Sequence, residues 1–323
     1  MKSIIFGGFG QDGALLSRFL LEKGHVVYLG SRLGDSKEER VRAYLRALSA
    51  EYPSRIYKVK IDLLDQSSLE TFLSEVLPDQ VFNFAAESNV KKSWDSPQEF
   101  IRNNYQSAQN LFASIIRTNQ NPRIIQMLSS EIFGEQDGPQ DERTPSRPSS
   151  PYGESKAMIR EITERIRKEG NCWITSVIPF NDESYLRSED YFSRKLSKAV
   201  VAIKSGSQSF LEIGNMNSLR DWGSAAEYMH AVSLISQLTE PTELVLATGK
   251  QTKVSDLVDH AFSYVGLESN DFVRTNREFY RASDPTNLVG SAKKAENLLG
   301  WRAQTNIIEL IENMIDKDFE DKN

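Results

Sequence analysis

The sequence is poor in cysteine and histidine, and this shortage excludes several kinds of site. Its 323 residues include one cysteine, Cys172, and three histidines, His25, His230 and His260. A single cysteine cannot form an internal disulfide or a site built from several thiolates. The histidines lie too far apart in the sequence for metal-ligand spacing. We therefore expect no metal site.

Long apolar runs and an excess of basic charge are also missing. Lys and Arg total 39 against 45 Asp and Glu, a formal net charge of −6. An acidic chain without a basic block binds polyanions poorly in general, which argues against nucleic acid. Apolar runs such as residues 199–203 are far shorter than the ~20 residues that span a bilayer. We expect no signal peptide, because a glycine-rich turn already begins at Gly7. We expect a cytoplasmic protein that contacts neither nucleic acid nor membrane.

Short apolar runs alternate with longer amphipathic segments through the first part of the chain. This alternation is typical of strands and helices in a parallel sheet. The predicted strands are residues 3–6, 26–29, 57–61, 81–84, 123–128 and 173–179. Helices are predicted near residues 14–23, 38–48, 67–76, 107–118 and 152–168. The pattern predicts an α/β fold with a doubly wound parallel sheet of the Rossmann type.

The pattern changes after about residue 180. Helices are predicted over residues 192–204 and 306–318, and short strands over 210–214 and 244–247. We predict a dinucleotide-binding domain over residues 1–180. A smaller substrate-binding lobe over 181–323 is expected to be partly interwoven with it. The polar segment 137–150 is predicted to be a surface loop over the carboxyl ends of the strands, where ligands bind.

A glycine-rich turn joins the first predicted strand to the first predicted helix. Gly7, Gly10 and Gly13 form the pattern Gly-x-x-Gly-x-x-Gly, with Gln11 and Asp12 inside it. Backbone without Cβ atoms can approach a pyrophosphate, and a helix N-terminus offers free N–H groups. The alternative is a plain strand–helix turn, but the position directly after an N-terminal strand favours dinucleotide binding.

The residues after the second and third predicted strands bear on which dinucleotide binds. An acidic residue after the second strand would hold the ribose 2′-hydroxyl of NAD, but Ser31 and Arg32 stand there and the next carboxylate is Asp35. A hydroxyl and a guanidinium suit a 2′-phosphate, so we predict NADP. The alternative for Arg32 is a solvated loop cation. Asp62 and Leu63 are placed to meet the adenine, with a turn-forming aspartate as the alternative.

Tyr152 and Lys156 form a Tyr-x-x-x-Lys motif at the start of a predicted helix. Residues four apart share a helix face, so the phenol and the ammonium project into the same space. We expect the lysine charge to lower the pKa of the tyrosine, which then takes a hydroxyl proton as hydride leaves the same carbon. The motif alone is common by chance. Together with the glycine turn it identifies the chain as a member of the extended short-chain dehydrogenase/reductase superfamily.

Ser129 and Glu131 follow the fifth predicted strand. Ser129 is placed to hydrogen-bond the reacting oxygen. Simple oxidoreduction needs no carboxylate beside the nicotinamide pocket, but elimination needs a base for the proton next to a newly formed ketone. Glu131 is therefore a candidate base, and the alternative is an acid that caps a turn.

The chain resembles the GDP-mannose 4,6-dehydratase family over nearly its whole length. The resemblance rests on residues 7–13, 83–88, 129–131, 150–156, 180–184, 193–195, 214–223, 247–249 and 294–301. The Asn-x-Glu-Ser piece at 181–184 and the Arg-Asp-Trp-Gly piece at 220–223 are much narrower than superfamily motifs.

The resemblance implies roles for particular residues. The implied catalytic set is Ser129, which is threonine in the family, with Glu131, Tyr152 and Lys156. The cofactor contacts that it adds to the motifs above are Ala85, Ala86, Ser88 and Arg187. The implied substrate contacts are Ser88, Asn181, Glu183, Lys195, Arg220, Arg281 and Asp284. For Arg220 the alternative is a surface salt bridge with Asp221.

Several positions depart from the family pattern. Glu87 stands where glutamine is usual, Asn89 and Asp182 replace histidines, residues 185–186 replace Pro-Arg, and Ser31 replaces an arginine. We expect Asp182 to place a negative charge near the nicotinamide. Such a charge would favour the oxidised, cationic ring and slow the final return of hydride.

The implied function is a redox-neutral dehydration of a GDP-linked hexose through an internal NADP hydride shuttle, carried out by a homodimer or homotetramer. A nucleotide-sugar 4-epimerase, or a dehydratase acting on another nucleotide sugar, is the nearest alternative. An NADP-binding sensor without catalysis is a third reading. The retention of both Tyr152 and Lys156 argues against it.

Overall fold

The computed structural model describes residues 1–118, 120–170, 172–280 and 287–322. Its strands are β1 (Lys2–Phe6), β2 (Val26–Ser31), β3 (Ile56–Lys60), β4 (Gln80–Asn83), β5 (Arg123–Met127), β6 (Ile174–Pro179), β7 (Asn181–Glu183), β8 (Leu211–Ile213), β9 (Leu219–Arg220), β10 (Trp222–Ser224), β11 (Glu243–Leu246), β12 (Thr252–Lys253) and β13 (Val273–Thr275). Its α-helices are α1 (Gln11–Glu22), α2 (Glu39–Glu51), α3 (Gln66–Val76), α4 (Pro97–Arg117), α5 (Pro151–Glu169), α6 (Phe192–Lys204), α7 (Ala225–Ile235), α8 (Val254–Tyr264), α9 (Ser269–Phe272), α10 (Lys293–Leu299) and α11 (Ile307–Glu320).

Seven parallel strands form the central sheet, in the order β3-β2-β1-β4-β5-β6-β11. The strand order reverses at β1, which pairs with β2 on one side and with β4 on the other. In an open α/β sheet, ligands bind at the carboxyl ends of the strands beside such a reversal. The predicted α/β fold with a doubly wound parallel sheet is confirmed.

The last strand of the sheet comes from the second half of the chain. β11 pairs in parallel with β6, so that Glu243 lies opposite Ser176 and Leu246 opposite Pro179. The chain therefore enters the smaller lobe after β6 and returns to the main sheet before it ends. The predicted strand at 244–247 belongs to this sheet. The division into 1–180 and 181–323 stays a prediction, and the interweaving is extensive.

Apolar side chains pack both faces of the sheet because neighbouring residues of a strand point to opposite sides. In β1, Ile4 and Phe6 join the cluster that includes residues of α3, α4 and α5. Ile5 joins the opposite cluster, with residues of α1, α2 and α7. A third apolar cluster, from α6, α8 and α11, forms the core of the smaller lobe. Within the described residues, no helix is both long and apolar enough to cross a membrane.

A buried carboxylate ties the smaller lobe to the dinucleotide-binding part. Asp318 of α11 accepts hydrogen bonds from Arg194 of α6, with Arg194 Nη2 2.5 Å from Asp318 Oδ1. Arg40 of α2 also pairs with Asp318. The Arg194 side chain is 1% exposed, so this guanidinium depends on Asp318 for its charge partner.

Replacing Asp318 by asparagine is expected to lower the free energy of unfolding by about 3–5 kcal/mol, because it leaves a buried guanidinium without its counter-charge. Urea unfolding followed by circular dichroism measures the change. Asp316→Asn, on the exposed side of the same helix, is the matched control and should stay within about 0.5 kcal/mol of the wild type. Equal free energies of unfolding for the two variants would show that the buried ion pair does not stabilise the protein.

Candidate active site

A cavity of about 690 Å³ opens at the carboxyl ends of the central strands. Phe84, Ser129 and Pro179, at the ends of β4, β5 and β6, line its inner side. Lys195 of α6 and Arg220 of β9 line it from the smaller lobe. The cavity thus lies between the two parts of the chain, where the reversal in strand order predicts a ligand site.

The predicted catalytic residues all line this cavity: Ser129, Glu131, Tyr152 and Lys156. The start of α5 positions two of them. Ser150 caps this helix by accepting a hydrogen bond from Gly153 N at 3.1 Å, and Pro151 occupies the first turn. Serine at the cap followed by proline favours a helix start at this point.

Glu131 lies in a short 3₁₀ turn, Ser130–Ile132, directly after β5. The cap of this turn is Ser129, whose Oγ accepts a hydrogen bond from Glu131 N at 3.3 Å. Because Ser129 already caps the turn, the glutamate is not needed there as a capping acid. Its side chain is buried and lines the cavity, which favours a chemical role.

The phenol of Tyr152 is set to stay protonated in the resting cavity. Burial raises the pKa of Tyr152 above its usual range, and the side-chain hydrogen bond with Ser129 opposes that rise. Lys156 Nζ donates to Met127 O at 2.9 Å and lies 5.9 Å from the centre of the Tyr152 ring. Burial lowers the pKa of Lys156 to about 8, with the Asp12 charge acting in the opposite direction.

The expected net lowering of the Tyr152 pKa is not found, because burial of the phenol raises the pKa by more than the surrounding charges lower it. The ammonium is held by a backbone carbonyl, and the desolvation of the phenol outweighs the charges around it. Ser129 is the neighbour that favours the phenolate through a direct hydrogen bond. Further positive charge brought near the phenol would favour its deprotonation.

Two of the three glycines in the Gly-x-x-Gly-x-x-Gly pattern leave no space for a side chain. Gly7 has φ +79°, and a Cβ there would lie 2.8 Å from the carbonyl carbon of Phe84. A Cβ on Gly13 would lie 2.5 Å from Gly8 Cα. Gly10 precedes α1 and provides no side-chain cap, so the first N–H groups of the helix are available to an anion.

Gln11, predicted to contact the cofactor, forms side-chain hydrogen bonds with the segment 182–184. Its Nε2 donates to Asp182 O at 3.0 Å, and its Oε1 accepts from Ser184 Oγ at 2.8 Å. The start of α1 is thereby fixed to β7 and the residue after it. A contact between Gln11 and a cofactor stays a prediction.

A second cavity, of about 190 Å³, lies beside the ends of β2 and β3. Among the predicted cofactor residues, its lining includes Gly7, Ser31, Arg32, Asp62, Leu63, Ala85 and Ala86. Ala86 lines the main cavity as well, so one elongated ligand can occupy both. Asp62 also has the turn-forming role given as the alternative, because its Oδ1 accepts from Leu64 N at 3.0 Å.

The smaller lobe presents cations and aromatic rings to the main cavity. Lys195 Nζ donates to Glu212 O at 2.8 Å and lies 4.0 Å from the centre of the Phe279 ring. Arg220 is buried, and its Nη1 donates to Leu219 O at 2.7 Å. Ser88, Asn181 and Glu183 also line the cavity, whereas Arg281 and Asp284 lie outside the described residues.

Asp221 has a structural role beside Arg220. Its carboxylate accepts from Thr248 N, Gly249 N and Gly290 N at 3.0, 2.9 and 3.1 Å. These contacts hold the Arg-Asp-Trp-Gly turn against the loop after β11. They favour Arg220 as a cavity residue over the alternative of a surface salt bridge.

Arg187 reaches the cavity within a group of acidic side chains. Its Nη1 lies 3.8 Å from Asp182 Oδ1, and its Nε lies 3.5 Å from Glu183 Oε2.

Within the described residues, no group of three or more His, Cys, Asp and Glu side chains is arranged to hold a metal ion.

Tyr191 is a cavity residue that the sequence did not single out. Its hydroxyl lies 2.6 Å from Ser88 Oγ, and the Arg187 guanidinium lies 3.8 Å from its ring centre. Tyr191 ends a polar loop just before α6 and belongs to no motif. The only signal available in the sequence was an aromatic residue next to a predicted helix start.

The chain is similar to known proteins over nearly its whole length. The family model for GDP-mannose 4,6 dehydratase matches residues 4–314. GDP-mannose 4,6 dehydratase 1 of Arabidopsis thaliana is 35% identical, across 98% of this chain and 90% of the relative. The GDP-mannose 4,6-dehydratase of Sinorhizobium fredii is 30% identical, across 98% and 96%.

Solved structures agree on the fold. The dTDP-glucose 4,6-dehydratase of Streptomyces venezuelae, with NAD and TYD bound, superposes with a TM-score of 0.86 at 20% identity, covering 100% of this chain and 98% of the other. RMD from Pseudomonas aeruginosa, complexed with NADPH, gives 0.82 at 17% identity, covering 100% and 99%. With the match along residues 4–314 and relatives at 30–35% identity, the chain belongs to the GDP-mannose 4,6-dehydratase family.

Proposed function

We propose that the protein converts GDP-mannose, or a close GDP-linked hexose, to a GDP-4-keto-6-deoxy sugar and water. The observation that carries this proposal is the position of Glu131, a buried carboxylate in the same cavity as Tyr152 and Lys156. A 4-epimerase has no use for a base at this place. Family membership supports dehydration as the activity.

We propose NADP as the cofactor, bound along both cavities. The glycine turn fits a pyrophosphate, because Gly7 and Gly13 exclude side chains and the N-terminus of α1 is uncapped. Ser31 and Arg32, in the second cavity, suit a 2′-phosphate. When bound, the nicotinamide supplies the redox chemistry by accepting hydride from the sugar C4 and returning it to C6.

Tyr152 and Ser129 act on the 4-hydroxyl of the sugar in this proposal. Ser129 hydrogen-bonds the phenol and helps to hold the hydroxyl, and Tyr152 takes the hydroxyl proton as C4 becomes a ketone. Lys156, fixed by Met127 O, adds positive charge on the same wall. This charge, together with that of an oxidised nicotinamide, favours the phenolate that burial otherwise opposes.

Glu131 then acts at C5. The ketone at C4 makes the C5 proton acidic, and the Glu131 carboxylate removes it. The C6 hydroxyl leaves as water with one added proton, which balances the proton that Tyr152 took from the 4-hydroxyl. Glu131 then returns its proton to C5, and a bound cofactor would supply the hydride for C6, which gives the 4-keto-6-deoxy sugar. Redox balance is restored within one turnover, so no external reductant is consumed.

The direct test is incubation with GDP-mannose and NADP⁺, followed by mass spectrometry of the sugar nucleotide. The proposal predicts a product lighter by one water, with no accumulation of NADPH. An epimer of unchanged mass, or NADPH formed in proportion to product, would contradict it. The nucleotide released from the purified protein on denaturation identifies the base, for which guanine is expected.

Replacing Arg32 by alanine is expected to weaken NADP⁺ binding about 10- to 100-fold and to leave NAD⁺ binding nearly unchanged. A hydrogen-bonded contact with a charged group contributes about 1.5–3 kcal/mol. In the free protein Arg32 Nη2 lies 3.4 Å from Glu87 Oε1, a half-exposed pair that a phosphate can displace at little cost. Tryptophan fluorescence quenching by each cofactor measures the two dissociation constants.

Two further variants sharpen the comparison. Glu87→Gln removes the carboxylate that competes for Arg32, so NADP⁺ should bind more tightly. Arg46→Ala removes an exposed arginine of α2 that pairs with Glu39, away from both cavities, and serves as the control. If Arg32→Ala loses affinity for NAD⁺ and NADP⁺ to the same extent, the proposal that Arg32 binds the 2′-phosphate is wrong.

We also propose a homodimer or homotetramer in the cytoplasm, in keeping with the family resemblance. Light scattering coupled to size-exclusion chromatography tests the assembly, and cell fractionation tests the location. A monomeric mass at micromolar concentration would contradict the first proposal. Recovery in the membrane fraction would contradict the second.

A further inference from the structure

Two carboxyl groups that line the main cavity each have a buried oxygen with no hydrogen-bond partner among the described residues. Asp12 lies in the first turn of α1, and Asp182 is the middle residue of β7. Asp182 is 7% exposed. Within the described residues, its Oδ2 and the Oδ1 of Asp12 are buried and have no hydrogen-bond partner, although the two side chains lie within hydrogen-bonding reach of each other.

Such an arrangement favours one bound proton. An ionised carboxylate only accepts hydrogen bonds, so two ionised groups in contact leave buried oxygens unsatisfied and also repel each other. One proton shared between them supplies the missing donor and removes one charge. Burial, followed by the charge of Asp12, raises the pKa of Asp182 well above its usual range.

The charges around the pair favour the same state. Three further charged groups interact electrostatically with the two aspartates: Glu183 of β7, Arg187, and Lys156 of α5. The charge of Asp182 also acts on Tyr228 of α7. Three ionised carboxylates would face two cations. One shared proton removes this excess of negative charge, and burial, which raises the pKa of Glu183 as well as that of Asp182, acts in the same direction.

We propose that Asp12 and Asp182 hold one proton between them, and that this proton passes to solvent when the cavity takes up the oxidised nicotinamide cofactor. The inference rests on the proposed cofactor site. An oxidised ring brings one positive charge and favours the doubly ionised pair, whereas a reduced ring is neutral and leaves the proton in place. The protonation of the pair thus follows the charge of the ring.

A shared proton changes the effect that Asp182 is expected to have on the return of hydride. A permanent carboxylate would favour the oxidised ring throughout and would slow the return of hydride. A pair that regains its proton when the ring is reduced does not hold back the second half of the reaction. Asp182 is then a positioning residue that adjusts the charge of the cavity at each redox step.

Infrared spectroscopy of the cofactor-free protein, with ¹³C-labelled aspartate, tests the shared proton. The wild type should show a protonated aspartate band at neutral pH, and Asp182→Asn and Asp12→Asn should each lose it. Asp256→Asn, at an exposed position of α8, should keep it. Absence of the band in a folded wild-type protein would overturn the proposal, whether or not the proposed function holds.

Calorimetry of cofactor binding tests the link to redox state. In buffers of different ionisation enthalpy, NADP⁺ should release close to one proton from the pair near neutral pH, and NADPH none. The affinity for NADP⁺ should then rise by up to about tenfold per pH unit, and Asp182→Asn should abolish this slope. Equal proton release by both cofactors, or the same slope in Asp182→Asn, would overturn the link. Failure of either cofactor to bind would overturn the cofactor assignment on which it rests.

Discussion

Replacing Glu131 by glutamine is expected to lower the turnover of GDP-mannose by about 10²–10⁴-fold, the range for losing a general base. The amide keeps the size of the side chain but cannot take the C5 proton. Oxidation at C4 does not need this carboxylate, so a single turnover should still produce the 4-keto sugar together with reduced cofactor. Stopped-flow absorbance of the nicotinamide and mass spectrometry of the quenched sugar follow the two events separately.

Glu135→Gln is the matched control, because Glu135 lies four residues further along on an exposed loop outside both cavities. It should turn over at the wild-type rate. Full activity of Glu131→Gln would assign elimination to another group. Loss of C4 oxidation together with elimination would mean that Glu131 positions the sugar and is not the base.

Tyr152→Phe is expected to cause a loss of similar size, about 10²–10⁴-fold, but at the earlier step. Without the phenol, the 4-hydroxyl proton has no acceptor, so neither reduced cofactor nor keto sugar should form in a single turnover. The ring is retained and keeps its edge contact with Phe100, whose centroid lies 6.4 Å away, so the fold should be preserved. The two variants therefore stop the reaction at different points.

Tyr57→Phe, on the exposed strand β3, provides the control for loss of a phenol hydroxyl. Sugar-nucleotide affinity, measured by calorimetry, separates a chemical role from a binding role. A Tyr152→Phe protein that binds normally but does not oxidise C4 supports the assignment. Normal oxidation by this variant would remove the phenol from the mechanism.

The strands of the first half could be predicted from sequence because both faces of this sheet are covered. Residues 3–6 and 81–84 are unbroken apolar or near-apolar runs, and β1 and β4 lie there. The start of α4 was missed because the mostly polar residues 102–107 separate Phe100 and Ile101 from the later apolar positions. The helix begins at Pro97, a favourable first position, although its apolar spacing becomes clear only near residue 107.

The smaller lobe was harder to predict because its elements depend on contacts distant in sequence. β7 is three residues long and pairs with β10, and β12 is two residues long and pairs with β9. Segments this short have no readable periodicity. The position of β11 in the main sheet likewise depends on its pairing with β6 and not on its own pattern.

The sequence could predict that Ser129, Glu131, Tyr152 and Lys156 share one cavity, because each belongs to a motif with a fixed place in the fold. The pKa shifts of these residues could not be predicted, because a pKa depends on burial and on partners that the sequence does not show. Lys156 is held by Met127 O, and Tyr152 is desolvated. The meeting of Asp12 with Asp182 joins residues 170 positions apart in the chain.

The central claim is that hydride leaves C4 and returns to C6 of the same sugar, while Glu131 removes the C5 proton. GDP-mannose carrying deuterium at C4, incubated with the protein and unlabelled NADP⁺ in ordinary water, tests it most directly. The account predicts a dehydrated product that carries the deuterium at C6, with no label left in the cofactor pool. Deuterium retained at C4, or collected in released NADPH, would contradict the account.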